Sequence, residues 1–412
     1  MIDEKEYFEL YKQSLYDLLV HCKNNVDYYR NKEDFVVPSY EEFDWNYYKD
    51  HIPVLPKRIV RENSKQFLID NISESEISVD STSGTEGKPI ICYRSTKERT
   101  YCSKTLWKMR RKFVPDLRPS DKFARFYAFR NKGSEIITDA VLYKDNDILL
   151  PLFNLSDEKL IEYWKAIVEF KPRWLHGPSS TIYNLALVVQ KYQLPLYSLE
   201  FIELSGEYVN PEDQNVIEEV FDCKTANQYG CREYWPMAYS DLDGSLRVIT
   251  DNIFIEQMYN KEHDKNEILI TLLKNNSWPL VRYQLEDLGQ LSFDNSRVLL
   301  YLERGRKADF FTFSGNRRFN AIIFSGLARS ICEIYGQNVI IQFQVIKEKK
   351  DKLLVKLRLS DCNQSEVMER YIEEIRKIIG NDINLSVQLV DYIAPDNKTG
   401  KTKEFIDYFL GR

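Results

Sequence analysis

A chain of 412 residues exceeds what one hydrophobic core usually fills, and at roughly 150 residues per domain it predicts two to three domains. Apolar residues make up 43% and charged residues 29%, which excludes a globally disordered chain. The net charge of −6, from 57 Lys+Arg against 63 Asp+Glu, argues against nucleic acid or an anionic membrane as the main partner, though a local basic patch could still take phosphates.

The N-terminal residues, Met1 to Glu6, are acidic and carry no apolar run, so no secretion signal is expected. Across 6–20, Tyr7, Leu10, Tyr11, Leu15 and Leu18 recur at three- and four-residue spacings, an amphipathic helix. Prolines 38, 53 and 56 make 34–57 read as an irregular connection. A short strand is expected over 76–80, a helix over 97–113 and a strand over 122–129. Helix over 157–170, strand over 173–176, helix over 179–192, strand over 199–204, helix over 211–220 and strand over 225–229 follow. That alternation predicts an α/β sheet with helices on its faces. Past Asp241 strands dominate: 245–255, 267–273, 289–293 and 298–303. The charged run Glu303, Arg304, Gly305, Arg306, Lys307 marks a boundary, and about 100 residues of α+β pattern follow (helix near 321–335, strands 339–347 and 352–359, helix 364–379, strand 385–390), ending in a Lys-rich loop. No run reaches the eighteen or so apolar residues of a spanning helix, so no membrane span is expected. Seven cysteines without a CxxC pair predict reduced thiols, a cytoplasmic setting and no zinc site.

One stretch points to chemistry. Ser81, Thr82, Ser83, Gly84, Thr85, Glu86, Gly87, Lys88 and Pro89 place hydroxyls and glycines directly after a strand. Glycine lets backbone amides turn towards an anion, hydroxyls add donors, and Lys88 adds charge. The spacing is not that of a kinase- or GTPase-type P-loop, which needs four residues between its glycines and Ser or Thr after the Lys. An ordinary polar turn is the alternative reading.

The order resembles the Ser/Thr–Ser/Gly–Gly–Thr–Thr/Glu–Gly–x–Pro loop of the adenylate-forming enzymes, a superfamily of acyl-CoA synthetases, luciferases and nonribosomal adenylation domains. Further segments resemble its other elements in the same order. Gln228, Tyr229, Gly230, Cys231, Arg232 and Glu233 are similar to the Tyr-Gly-x-Thr/Ser-Glu element, with Arg232 where a hydroxyl residue is usual. Arg282 to Gly289 resembles the Arg-Tyr-x-x-Gly-Asp-x-Gly element, with Glu286 where a glycine is usual and Asp287 at the ribose-binding acid. Gly305, Arg306, Lys307, Ala308 and Asp309 resemble the hinge element, with Ala308 in place of its first acid. Lys398 to Lys403 resembles the C-terminal Gly-Lys element and places Lys401 at its lysine. Within the superfamily the chain looks most like phenylacetate–CoA ligase and its relatives linked to capsular polysaccharide biosynthesis. Val26 to Arg30, Ile52 to Lys57 and Ser205-Gly206-Glu207 add to that likeness.

The resemblance implies a large N-terminal α/β adenylation domain (1–306, helical over 1–75) and a smaller, mobile C-terminal α+β lid (307–412). It implies that a small carboxylic acid attacks the α-phosphate of ATP, giving acyl-AMP and pyrophosphate, after which coenzyme A takes the acyl group. Ser81, Thr82, Ser83, Gly84, Thr85, Gly87 and Lys88 would hold the pyrophosphate. Ser205, Gly206, Glu207, Gln228, Tyr229, Gly230, Asp287 and Arg306 would surround the nucleotide. Glu233 would hold magnesium, and Lys401 would bridge the carboxylate and the α-phosphate. The acyl pocket would draw on His176, Gly177, Pro178 and Tyr229. A carboxylate is already ionised at neutral pH, so no general base is needed, in keeping with only four histidines. Transfer to an amine or hydroxyl in surface-glycan synthesis without coenzyme A, or a non-catalytic nucleotide-binding relative, are the alternatives. The sequence leaves a homodimer open.

Overall fold

The computed structural model describes residues 3–82, 90–127, 140–152, 155–260, 265–294, 297–303, 310–320, 322–335, 339–360, 363–393 and 404–408. The chain divides into two compact units. The first comprises Met1–Thr82, Lys88–Asp116 and Ala226–Gly305; the second comprises Ser83–Gly87, Leu117–Thr225 and Arg306–Arg412.

In the first unit, helix Glu4–Asn25 begins at a capping box in which Asp3 and Glu6 exchange hydrogen bonds between side chain and backbone. Its inward side chains Tyr7, Phe8, Leu15 and Leu19 pack on the strand residues Phe254, Ile268 and Ile270. The sheet runs in the order Ile253–Asn260, Lys265–Leu272, Tyr283–Asp294, Arg297–Leu302, Leu246–Val248, Trp235–Ser240, Lys224–Cys231, with antiparallel neighbours throughout. A separate antiparallel hairpin pairs Ile77–Ser81 with Ile91–Ser95.

Two expectations change here. The connection over 34–57 contains helix Trp45–His51, capped by Asp44, and the short strand Leu55–Pro56. Seven residues are too few for a legible period, and the helix relies on distant partners. Arg282 donates to the Tyr48, Lys49 and Ile52 carbonyls (3.2, 2.7 and 2.5 Å) at and just past the helix end, where carbonyls run short of intrahelical partners. The strand expected over 245–255 is two, Leu246–Val248 and Ile253–Asn260, because Thr250, Asp251 and Asn252 turn the chain and the Asn252 amide bonds the Ile249 carbonyl.

The second unit holds a parallel sheet in the order Phe201–Ser205, Trp174–Gly177, Phe123–Tyr127, Asp147–Pro151, with Leu142–Tyr143 antiparallel at the edge. Helices Asp157–Phe170 and Ser179–Lys191 supply the crossovers that parallel pairing requires, and helix Pro211–Phe221 follows strand Phe201–Ser205. The C-terminal strands form a sheet in the order Asn384–Leu389, Lys352–Leu359, Ile340–Lys349, Phe405–Asp407, accompanied by helices Ile322–Tyr335 and Gln364–Ile379. One apolar core runs through this unit and takes in Ile182, Phe324, Ile331, Val345 and Ile375. The fold is thus α/β plus α+β. No helix among the described residues is long and apolar enough to cross a membrane.

Candidate active site

The hairpin that leads into residues 83–89 is closed at its base by Thr82. Its amide donates to the Ile90 carbonyl (3.0 Å), and its hydroxyl accepts from the Ile90 amide (2.9 Å). Ser81 pairs with Ile91 on the same hairpin. Ser83, Gly84, Thr85, Gly87 and Lys88, and likewise Arg306 and Lys401, lie outside the described residues.

Gln228, Tyr229 and Gly230 lie on strand Lys224–Cys231, which reverses through Arg232, Glu233 and Tyr234 into strand Trp235–Ser240. Asp287 lies on strand Tyr283–Asp294, with three other strands between the two in sheet order. The sheet nevertheless curls enough for side chains to meet. The Tyr229 hydroxyl donates to Asp287 Oδ2 at 2.7 Å, and the Tyr283 hydroxyl donates to Glu233 Oε1 at 2.8 Å. These two bonds bring both acids to the same pair of strands.

The backbone is bent at each of these points. Glu286 has φ 68°, a left-handed conformation that glycine takes without penalty and other residues adopt uncommonly. The pairing register slips there, since Glu267 faces Leu288 while Leu269 faces Gln284. Glutamate therefore occupies the glycine-type bulge that carries Asp287. Arg282 (φ 50°) and Trp235 (φ 57°) flank Tyr283 and Glu233 in the same conformation. Gly230 is dictated by space, because a Cβ there would stand 2.0 Å from the Trp235 carbonyl oxygen.

Glu233 is buried. Burial, and next the Glu233 carboxylate, push the Tyr283 hydroxyl and the Cys92 and Cys231 thiols up. At neutral pH all three therefore keep their protons: Tyr283 stays a donor to Glu233, and neither thiol is a nucleophile. Arg282 pairs with buried Glu256 (3.0 Å) besides holding the Trp45–His51 carbonyls, so it builds the scaffold beneath the site.

In the second unit, His176 and Glu203 are register neighbours on parallel strands. His176 Nε2 is 2.7 Å from Ser205 Oγ and 3.7 Å from Oε1 of the fully buried Glu203. Gly206 follows with φ 80°. The Glu207 carboxylate accepts from the amide and hydroxyl of Ser180, which places an anion at the N-terminus of helix Ser179–Lys191, where it is favoured. Pro178 is the N-cap residue of that helix. Gly177 sits against Phe126, whose Cβ would be 3.0 Å from an added Cβ.

Sequence reasoning missed Arg94, Tyr283 and Glu203. Arg94 is an arginine inside the apolar strand Ile91–Ser95, the one signal that could have singled it out.

A family model described as the CapK C-terminal domain matches residues 316–407. Protein CapK of Staphylococcus aureus is 22% identical over 270 residues, 63% of this chain, and the match spans 58% of that protein's length. Indoleacetate–lysine synthetase of Pseudomonas savastanoi is 23% identical over 336 residues, 80% of this chain and 81% of that one. Among solved structures, 2-hydroxyisobutyryl-CoA ligase in its thioesterification state, with an acyl-AMP and CoA bound, superposes with a TM-score of 0.62 at 16% identity, covering 98% of this chain and 90% of that one. The same ligase in its postadenylation state gives 0.59 at 16% identity, covering 97% and 91%. The chain has the fold of the adenylate-forming ligases, the superfamily its motifs resemble.

Proposed function

We propose that this protein joins a small carboxylic acid to an acceptor by way of an acyl-adenylate. The observation that carries the reading is the pair of hydrogen bonds, Tyr229 to Asp287 and Tyr283 to Glu233, that draws two acids of separate motifs to the same two strands. The substrate carboxylate attacks the α-phosphorus of ATP, the bond to the β-phosphate oxygen breaks, and pyrophosphate leaves. Charge gathers on phosphoryl oxygens, so the chain supplies positioned donors and cations rather than a base.

Asp287, already oriented by Tyr229, can accept from both ribose hydroxyls. Ser81, Thr82, Ser83, Gly84, Thr85, Gly87 and Lys88 are assigned to the pyrophosphate, with Lys401 at the α-phosphate and Arg306 at the nucleotide. Ser205, Gly206, Glu207, Gln228 and Gly230 are assigned to the walls of the nucleotide site, and His176, Gly177 and Pro178 to the acyl group. Residues 307–412 are assigned the role of the lid. Glu233 is the residue that would hold magnesium. Magnesium usually keeps several waters and is held by one or two carboxylates together with substrate phosphates, so a single glutamate is a sufficient protein ligand. Such an ion neutralises phosphoryl charge without proton transfer.

In the second step a nucleophile attacks the acyl carbonyl and AMP leaves. Coenzyme A is the proposed acceptor, a choice supported by the overall superposition on a CoA ligase. A second reading, transfer to an amine, is supported by similarity to indoleacetate–lysine synthetase over 80% of this chain. Exchange of labelled pyrophosphate into ATP across a panel of carboxylic acids tests the first step; no exchange with any acid contradicts it. Product mass with coenzyme A or amines supplied then decides the acceptor.

A further inference from the structure

Arg94 is 2% exposed, yet it is not fully matched. Its Nη2 donates to the Arg232 carbonyl (2.8 Å) and the Glu233 carbonyl (3.3 Å). The guanidinium lies over the Trp235 ring, 4.8 Å from its centroid. Nη1 stands 3.8 Å from Asp80 Oδ2, and neither Nη1 nor Nε has a hydrogen-bond partner. Buried donors without partners cost about 1–3 kcal/mol each, so packing alone does not account for an arginine at this place.

What these contacts grip is a single turn. Arg232 and Glu233 lie within it, and Trp235, at its exit, holds φ 57°, a genuine outlier for so bulky a residue. Strain of that kind persists only where surroundings over-determine the conformation. Here Arg94 bonds two carbonyls before the strained residue and stacks on its ring. Because Arg94 lies on strand Ile91–Ser95, the same contacts fasten the hairpin Ile77–Ser81/Ile91–Ser95 to the turn. Relaxing Trp235 to negative φ would swing the Glu233 carboxylate away from Tyr283.

We infer that Arg94 is a positioning residue that aims Glu233, and through it the metal-assisted grip on the triphosphate. The inference rests on the proposed adenylating function. Both carbonyl bonds come from Nη2, so lysine keeps the charge and a donor but lacks the planar face that lies over Trp235, and Arg94→Lys should loosen the turn without unfolding the unit.

The test compares ATP affinity by calorimetry, with magnesium and in EDTA, for the wild type and Arg94→Lys, alongside melting curves. Expected are a melting temperature within a few degrees of wild type, unchanged affinity for metal-free ATP, and a loss of roughly 10- to 100-fold in the affinity gained from magnesium, the scale of a misplaced group. Equal losses with and without metal, or no loss, overturn the inference. Should Arg94→Lys fail to melt cooperatively, Arg94→Gln provides the same readout, because its amide keeps a donor for the carbonyls while the charge and the guanidinium face over Trp235 are lost. If the wild type binds Mg·ATP but exchanges pyrophosphate with no acid, the ligase reading fails while the affinities still decide the role of Arg94. If the wild type binds no Mg·ATP, both fall.

Discussion

Around Glu233 and Asp287 the chain is bent at residues with full side chains, Trp235, Arg282 and Glu286, and the bends at Trp235 and Arg282 are held from elsewhere in the first unit. Arg94 reaches the turn across 138 positions of sequence, and Arg282 holds a helix end more than 230 positions away. Around His176, in the second unit, Gly206 takes φ 80°, Gly177 makes room for Phe126, and left-handed Lys171 ends the helix that precedes the His176 strand. The nearby helix start is held by Glu207, only 27 positions from Ser180. The first arrangement fixes its acids through long-range tethers and is vulnerable wherever one is cut; the second is set by local backbone chemistry.

Cutting tethers should therefore cost more in the first unit. Glu256→Ala removes one partner of the buried pair with Arg282 together with its packing and should destabilise by about 3–5 kcal/mol, whereas Glu207→Ala, the loss of a helix cap, should cost about 1 kcal/mol. Burial, opposed by Arg282, pushes the Glu256 carboxyl up. A raised carboxyl contributes stability that is present below its unfolded pKa of about 4.3 and is lost as pH rises through the folded value. The cost of Glu256→Ala in urea titrations should thus be larger at pH 4 than at pH 7. A cost that grows with pH contradicts this.

The glycines extend the contrast. Gly230→Ala must displace the Trp235 carbonyl 2.0 Å away and should cost about 3 kcal/mol, while Gly206→Ala meets nothing within 4 Å and should cost only the left-handed penalty of about 1–2 kcal/mol. Comparable melting temperatures for the two would erase the distinction. Smallest is Glu286→Gly, which places glycine where the backbone is already left-handed and should raise stability by up to about 1 kcal/mol with pyrophosphate exchange retained. A loss of stability would mean that the Glu286 side chain, rather than the bulge, positions Asp287.

The same contrast explains what the sequence made legible. Helices Asp157–Phe170 and Gln364–Ile379 match their expected bounds because amphipathic spacing is local, and Ser156 caps the first of them. Motif order points to the acids at 233 and 287. It does not point to what aims them, because Arg94 and Tyr283 act through contacts between segments distant in sequence, and one arginine in an apolar strand announces no partner. Helix Trp45–His51 escaped for the same reason, since its C-terminal carbonyls are satisfied by Arg282.

The central claim, that Glu233 and Asp287 serve a single acyl-adenylating site, meets its most direct test in acid-dependent pyrophosphate exchange by the wild type, Glu233→Gln and Asp287→Asn, with melting curves in parallel. The account predicts exchange by the wild type with at least one acid, and a loss of roughly 10²-fold or more in each variant without loss of the folded state. Wild-type exchange rates in both variants, or no exchange by the wild type with any acid, would contradict it.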